Sequence, residues 1–175
     1  QYQKLESGEL IKLPRYSVDT GMGLERISAV MQKVNSNYET DLFKDLLQKI
    51  KNHLNFKDID HPSLRVIADH LRASSFLILD GVLPSNEGEG YVLRRIIRRA
   101  LRHGHKLGRE EPFFSLIVDD LAKIMGESFP ELSKESKHIS KYLHDEEIKF
   151  GETLNKGIQI LEDVLKQSNS KKLDG

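Results

Sequence analysis

The string Asp19-Thr20-Gly21-Met22-Gly23-Leu24-Glu25-Arg26 combines residue types suited to holding a phosphorylated ligand. Gly21 and Gly23 leave the backbone without Cβ atoms, so a ligand can approach it closely. Arg26 offers a planar guanidinium whose fork of donors matches phosphate oxygens. The plainer roles are a helix-start salt bridge for Arg26 and a turn cap for Asp19.

A second concentration of chemistry lies at Arg94, Arg95, Arg98, Arg99 and Arg102. On a helix these arginines fill one half-circle, and Leu93, Ile96, Ile97, Ala100 and Leu101 fill the other. A solvated helical face ordinarily mixes acids with bases to gain i,i+4 pairs. Here like charges stack at that spacing, so something must neutralise them. Two partners are open: the phosphates of a nucleic acid, or acids on the C-terminal part of this chain. Just upstream, Ser85-Asn86-Glu87-Gly88 displays an amide that can donate and accept at once. That suits a base edge in the shallow minor groove of RNA, while an Asx-turn that only shapes the loop is the simpler role. The histidines carry less. Asp69-His70 with Arg72, and His103 with His105, lack a third ligand at a recognisable spacing, so no metal site is expected. Asp145-Glu146-Glu147 reads as a solvated stretch of helix.

These groups need elements to position them. Tyr2 and Leu5 flank the turn signal Ser7-Gly8-Glu9, and Leu10-Ile11 resumes before Pro14, which reads as a hairpin. Tyr16-Ser17-Val18 reads as a further short strand. Leu24, Ile27, Val30, Met31 and Val34 recur at helical steps, so a helix spans about 24–35. A second begins after Thr40 as N-cap and carries Leu42, Phe43, Leu46, Leu47, Ile50 and Leu54. A third opens at Pro62 and stops at Gly81. The arginine helix covers about 91–103, ended by Gly104 and Gly108, and a fifth runs over about 112–125. Finally, Leu132, Leu143, Leu154 and Leu165 repeat every 11 residues, with Ile139, Phe150 and Leu161 as a parallel series. That period is close to three undistorted helical turns. One helix of about 133–167 follows, packed lengthwise on the bundle in preference to pairing as a dimeric coiled coil.

With 175 residues, 38% hydrophobic and 31% charged, the chain can bury one real core. It has no cysteine, which excludes disulfides and thiolate metal sites and fits a reducing cytoplasm. No apolar run of membrane length occurs. The formal net charge is zero, yet residues 90–109 hold seven Arg or Lys and no Asp or Glu. Local sign, not the total, governs encounter with a polyanion.

The 19–26 string resembles motif 3 of class II aminoacyl-tRNA synthetases, in the alanyl form. Residues 34–38, 65–72, 84–88 and 90–100 are similar to the same family in the same order. The resemblance implies that Arg26 holds the ATP triphosphate and that Asp19 accepts hydrogen bonds from the ammonium group of alanine. Gly21 and Gly23 would keep that pocket small. It further implies that Asn86 reads the wobble G:U pair in the acceptor stem of alanine tRNA, and that the arginine helix belongs to the region recognising that stem. Glu89 stands where the family commonly carries a basic residue, so no phosphate contact is expected there. ATP with Mg2+ and alanine are the implied reactants. Alanine tRNA is the implied partner, with no role for DNA or a membrane, and the implied location is cytoplasmic.

The expected fold is therefore mainly α. A multihelical tRNA-recognition domain with a long C-terminal helix covers 37–175. Residues 1–36 carry a short β-hairpin and the motif 3 helix, left over from a class II antiparallel-sheet catalytic domain. Motifs 1 and 2 are missing, so the chain reads as an internal fragment without alanine-activating activity of its own. A stand-alone helical RNA-binding module is the alternative, and a scaffold built on the long helix is a third reading.

Overall fold

The computed structural model describes residues 2–15 and 20–167. Two compact units form, residues 1–40 and 41–175. In the first, strands β1 (Tyr2–Lys4) and β2 (Leu10–Lys12) pair antiparallel, with Gln3 opposite Ile11. The turn between them closes on Gly8, whose φ of 88° suits a residue without Cβ. Helix α1 (Leu24–Met31) follows. It ends four residues earlier than the apolar spacing predicts. Lys33 turns into the left-handed region at φ 55°, and the Val34 amide bonds back to the Ala29 carbonyl. That Schellman-type closure outweighs the Val34 periodicity. A 3-10 turn over Asn37–Glu39, capped by the Ser36 hydroxyl, leads to Thr40. The expected strand over 16–18 and Asp19 lie outside the described residues.

The second unit is a helical bundle of α2 (Asp41–His53), α3 (Pro62–Leu79), α4 (Gly88–Lys106), α5 (Val118–Met125) and α6 (Pro130–Gln167). His61 caps α3, its Nδ1 accepting from the Ser63 amide, and Gly81 at φ 91° closes the other end. The core is built from the apolar stripes: Leu46 and Ile50 of α2, Leu64, Ile67 and Leu71 of α3, Leu93 and Ile97 of α4, and Leu121 of α5 are wholly buried.

Three features of this unit differ from expectation. Gly104 lies inside α4, two residues before its end, where a Cβ would overlap the buried ring of Phe113. It is a packing glycine, and Gly108 at φ 84° is the terminator. The fifth helix starts only at Val118, after a 3-10 turn over Ser115–Ile117. In α6, Leu132, Ile139 and Leu143 are buried, but Leu161 and Leu165 are exposed. The 11-residue stripe packs along the bundle over its first half only.

Candidate nucleic-acid interface

Helix α4 sorts its arginines by angle. Arg94 and Arg98 lie one turn apart and point toward α6, where each Nε donates to the same Oε1 of Glu146, at 3.2 and 2.6 Å. Glu146 is 4% exposed, so the carboxylate is anchored in protein and fixes both guanidiniums in place, while its single charge leaves the trio net positive. Arg95, Arg99 and Arg102, joined by Lys106, form a stripe at steps of four, three and four residues on the outer face. All four are exposed, and among the described residues none has a carboxylate within ion-pair distance. Arg95 rests over the Tyr91 ring at 5.8 Å, a contact that stiffens the side chain without cancelling its charge.

A concavity of about 570 Å³ opens beside this stripe, lined by Arg95, Arg98, Arg99 and Arg102 and floored by Val92 and Phe150. Arg98 stacks over the Phe150 ring at 5.6 Å. His70 closes one side, its Nδ1 2.9 Å from Asp69 Oδ2. That hydrogen bond, with help from the charges of His70, Arg72 and Arg99, holds the Asp69 carboxyl below its ordinary value against the opposing effect of burial. His103, within hydrogen-bond distance of the Ser63 hydroxyl, is held below the usual imidazole value by burial and then by Arg99, Lys106 and Arg102. These cations add to burial in disfavouring a further proton on His103.

The loop preceding α4 displays Asn86 on the surface. Its local shape is set by Ser85, whose Oγ accepts the Glu87 amide at 3.4 Å while its hydroxyl donates to the Glu87 carbonyl at 2.7 Å, so the bend is a serine turn and not an Asx-turn. Arg94 reaches back from α4: Nη1 donates to the Ser85 carbonyl at 3.3 Å and to Asn86 Oδ1. Because an arginine only donates, the Asn86 oxygen must face it. The amide NH2 then points away, toward solvent. Gly90 sits against this loop, where a Cβ would collide with the Leu83 carbonyl and the Ser85 side chain.

The acidic triplet of α6 is the main departure from the sequence reading. Glu146 and Glu147 are both buried, not solvated. Glu147 accepts the amides of Phe113 and Phe114, and burial pushes its carboxyl above the ordinary value despite those hydrogen bonds. A signal for this existed: both acids fall three or four residues from Leu143 and from Phe150, on the apolar stripe itself. Among the described residues, no group of three or more His, Asp or Glu converges to hold a metal ion. No helix there is long and apolar enough to cross a membrane.

Within residues 1–40, Arg26 is exposed on the first turn of α1, and Gly23 is the extended N-cap residue just before it. A Cβ at Gly23 would meet only the Arg26 side chain, and one at Gly21 would meet nothing. Packing inside the described chain therefore does not demand either glycine. Met22, Val30 and Met31 are largely exposed around the same helix.

The family model described as tRNA synthetases class II (A) matches residues 1–175. The chain is 57% identical over 175 residues to the alanine–tRNA ligase of Nitrosospira multiformis, covering all of this chain and 20% of that protein. It is 56% identical over 169 residues to the one from Nitrosomonas europaea, covering 97% of this chain and 20% of that protein. With the Psychromonas ingrahamii enzyme it shares 55% over 165 residues, 94% of this chain and 19% of that protein. The chain therefore spans about a fifth of the length of these relatives. Matched from its first residue to its last, the chain belongs to the class II (A) tRNA synthetase family.

Proposed function

We propose that this chain is a segment of an alanine–tRNA ligase and that its helical part docks the acceptor stem of alanine tRNA. The parent enzyme would join alanine to ATP, the carboxylate attacking the α-phosphate and releasing pyrophosphate, and then transfer the alanyl group to tRNA. The observation that carries the docking role is the stripe Arg95, Arg99, Arg102 and Lys106, exposed and without acids, on the helix that also follows Asn86. Phosphates at such a stripe would hold a duplex in register without reading it. Asn86, with its amide NH2 turned outward, would supply the reading, by donating to a group of a G:U wobble pair in the minor groove.

In residues 1–40, Arg26 would grip the ATP triphosphate as charge develops in the transition state, with Asp19 receiving the alanine ammonium and Gly21 and Gly23 leaving room for a small substrate. Exposure of the Arg26 guanidinium fits that role. Mg2+ would accompany ATP. No described residue is assigned to it, because no set of ligands converges.

The test is aminoacylation by the full-length enzyme of alanine tRNA carrying G:U and of the same tRNA carrying G:C. Asn86→Ala should bring the ratio of the two rates close to one, mostly by slowing the G:U substrate, a loss of roughly 1–3 kcal/mol of discrimination. An unchanged ratio would reduce Asn86 to a loop residue.

A further inference from the structure

The Asn86 amide is not free to choose which way it faces, and the residue that decides lies on another helix. Glu146, buried on α6, receives Arg94 Nε. Arg94 extends from α4 back to the 85–86 loop, and its Nη1 donates to Asn86 Oδ1. One guanidinium thus bridges a fixed carboxylate and a surface amide, using different nitrogens for each. Arg98, paired to the same Oε1 at 2.6 Å, shares the carboxylate and stops it from following Arg94 outward. Without such a bridge an exposed Asn side chain rotates about its Cα–Cβ and Cβ–Cγ bonds, and its oxygen and NH2 exchange places freely.

We infer that Glu146 is a positioning residue for base reading: through Arg94 it holds the Asn86 oxygen inward and commits the NH2 to the RNA. The inference rests on Asn86 reading a base pair, as proposed above. Physically it explains why an acid should be buried here at all. A buried carboxylate is costly unless it is paired and hydrogen-bonded, and a pair of apolar residues could serve α4–α6 packing equally well. A fixed anion can do what a leucine cannot, which is to hold a guanidinium in one geometry at a surface. The amide then enters the complex already oriented, and the entropy of ordering it is not lost on binding.

Glu146→Ala leaves two half-buried arginines without a counter-charge and risks the fold, so the decisive variant is Arg94→Lys. It keeps a cation beside Glu146 but gathers its donors on one rotatable nitrogen, which does not reproduce the rigid fork that fixes carboxylate and amide at separate nitrogens. Glu146→Gln is its companion: equal in size, but uncharged and a weaker acceptor. Binding to acceptor-stem hairpins with G:U or G:C is measured for the wild-type chain and both variants, together with thermal unfolding and the side-chain NH2 resonances of Asn86. The wild-type chain should prefer G:U by roughly tenfold or more. Arg94→Lys should bring the two affinities within about twofold, at unchanged melting temperature, and its Asn86 resonances should collapse to rotationally averaged positions. Glu146→Gln should fall in between. Wild-type preference and Asn86 resonances retained in both variants overturn this inference alone. A wild-type chain without preference overturns the reading role of Asn86, and this inference with it.

Discussion

The Glu147 carboxylate accepts the backbone amides of both Phe113 and Phe114, with Oε1 at 2.9 and 3.1 Å and Oε2 at 3.2 Å from the second. The two phenylalanines plug the core between α4 and the 3-10 turn that starts at Ser115, and their amides would otherwise be buried without partners. One acid on α6 therefore substitutes for the missing first turn of a helix.

Removing that acceptor should be expensive. Each buried amide left unpaired costs about 1–3 kcal/mol, so Glu147→Ala should lose roughly 2–6 kcal/mol of stability. Its pH signature is distinctive. The folded carboxyl is held above its ordinary value of 4.5 by burial, so folding favours the protonated form. Its stabilising contribution is complete below 4.5 and fades as pH rises through the raised folded value. Thermal unfolding of Glu147→Gln against wild type should show that slope removed. Parallel curves from pH 4 to 7 would contradict the assignment.

Salt dependence should report which arginines meet phosphate. Arg94 and Arg98 are held by Glu146, which leaves the stripe of Arg95, Arg99, Arg102 and Lys106 for RNA. About four phosphate contacts give a slope of log K against log salt of roughly −3. The double variant Arg99→Glu, Arg102→Glu should flatten it by about two units, one per contact. A slope near zero in the wild-type chain would mean that the stripe does not touch the backbone.

His103 supplies a pH test of the same cationic stripe. Burial and then the cations Arg99, Lys106 and Arg102 hold its imidazole below the ordinary 6.5. Phosphates binding those cations would lift it, so the complex takes up a proton. Affinity for the hairpin should then be greatest below the free chain's value and decline as pH rises through the value in the complex. His103→Gln should flatten that profile. An identical profile in the variant would rule out His103 as its source.

Two glycines in helices should respond oppositely to alanine. A Cβ at Gly104 would overlap Phe113, which is itself immobilised in the core, so Gly104→Ala should destabilise by about 1–3 kcal/mol. Gly157, on the exposed half of α6, has nothing within 4 Å of such a Cβ. Gly157→Ala should stabilise α6 by roughly 0.5–1 kcal/mol. Chemical denaturation of both variants checks the pair, and equal signs would defeat it.

Helical periodicity alone was enough to place α2, α3 and α4 within a few residues and to separate the apolar half of α4 from its arginines. These are properties of short segments: the spacing of Leu93, Ile97 and Ala100 holds whatever packs against them. The family resemblance carried by the 19–26 string and the 84–88 segment was likewise legible, because residue type and order carry it. Tertiary structure decided what depends on contacts distant in sequence. Five arginines that look alike in order become two held by Glu146 and three left to solvent, since only the approach of α6 distinguishes positions 94 and 98 from 95, 99 and 102. Gly104 reads as a helix stop by type, yet it sits inside α4 because Phe113 needs the space of a side chain. Glu146 and Glu147 read as solvated acids, and they are buried because arginines and orphan amides from elsewhere in the chain meet them there. Charge in a sequence states how strongly a residue demands a partner, and only the folded chain brings that partner within reach.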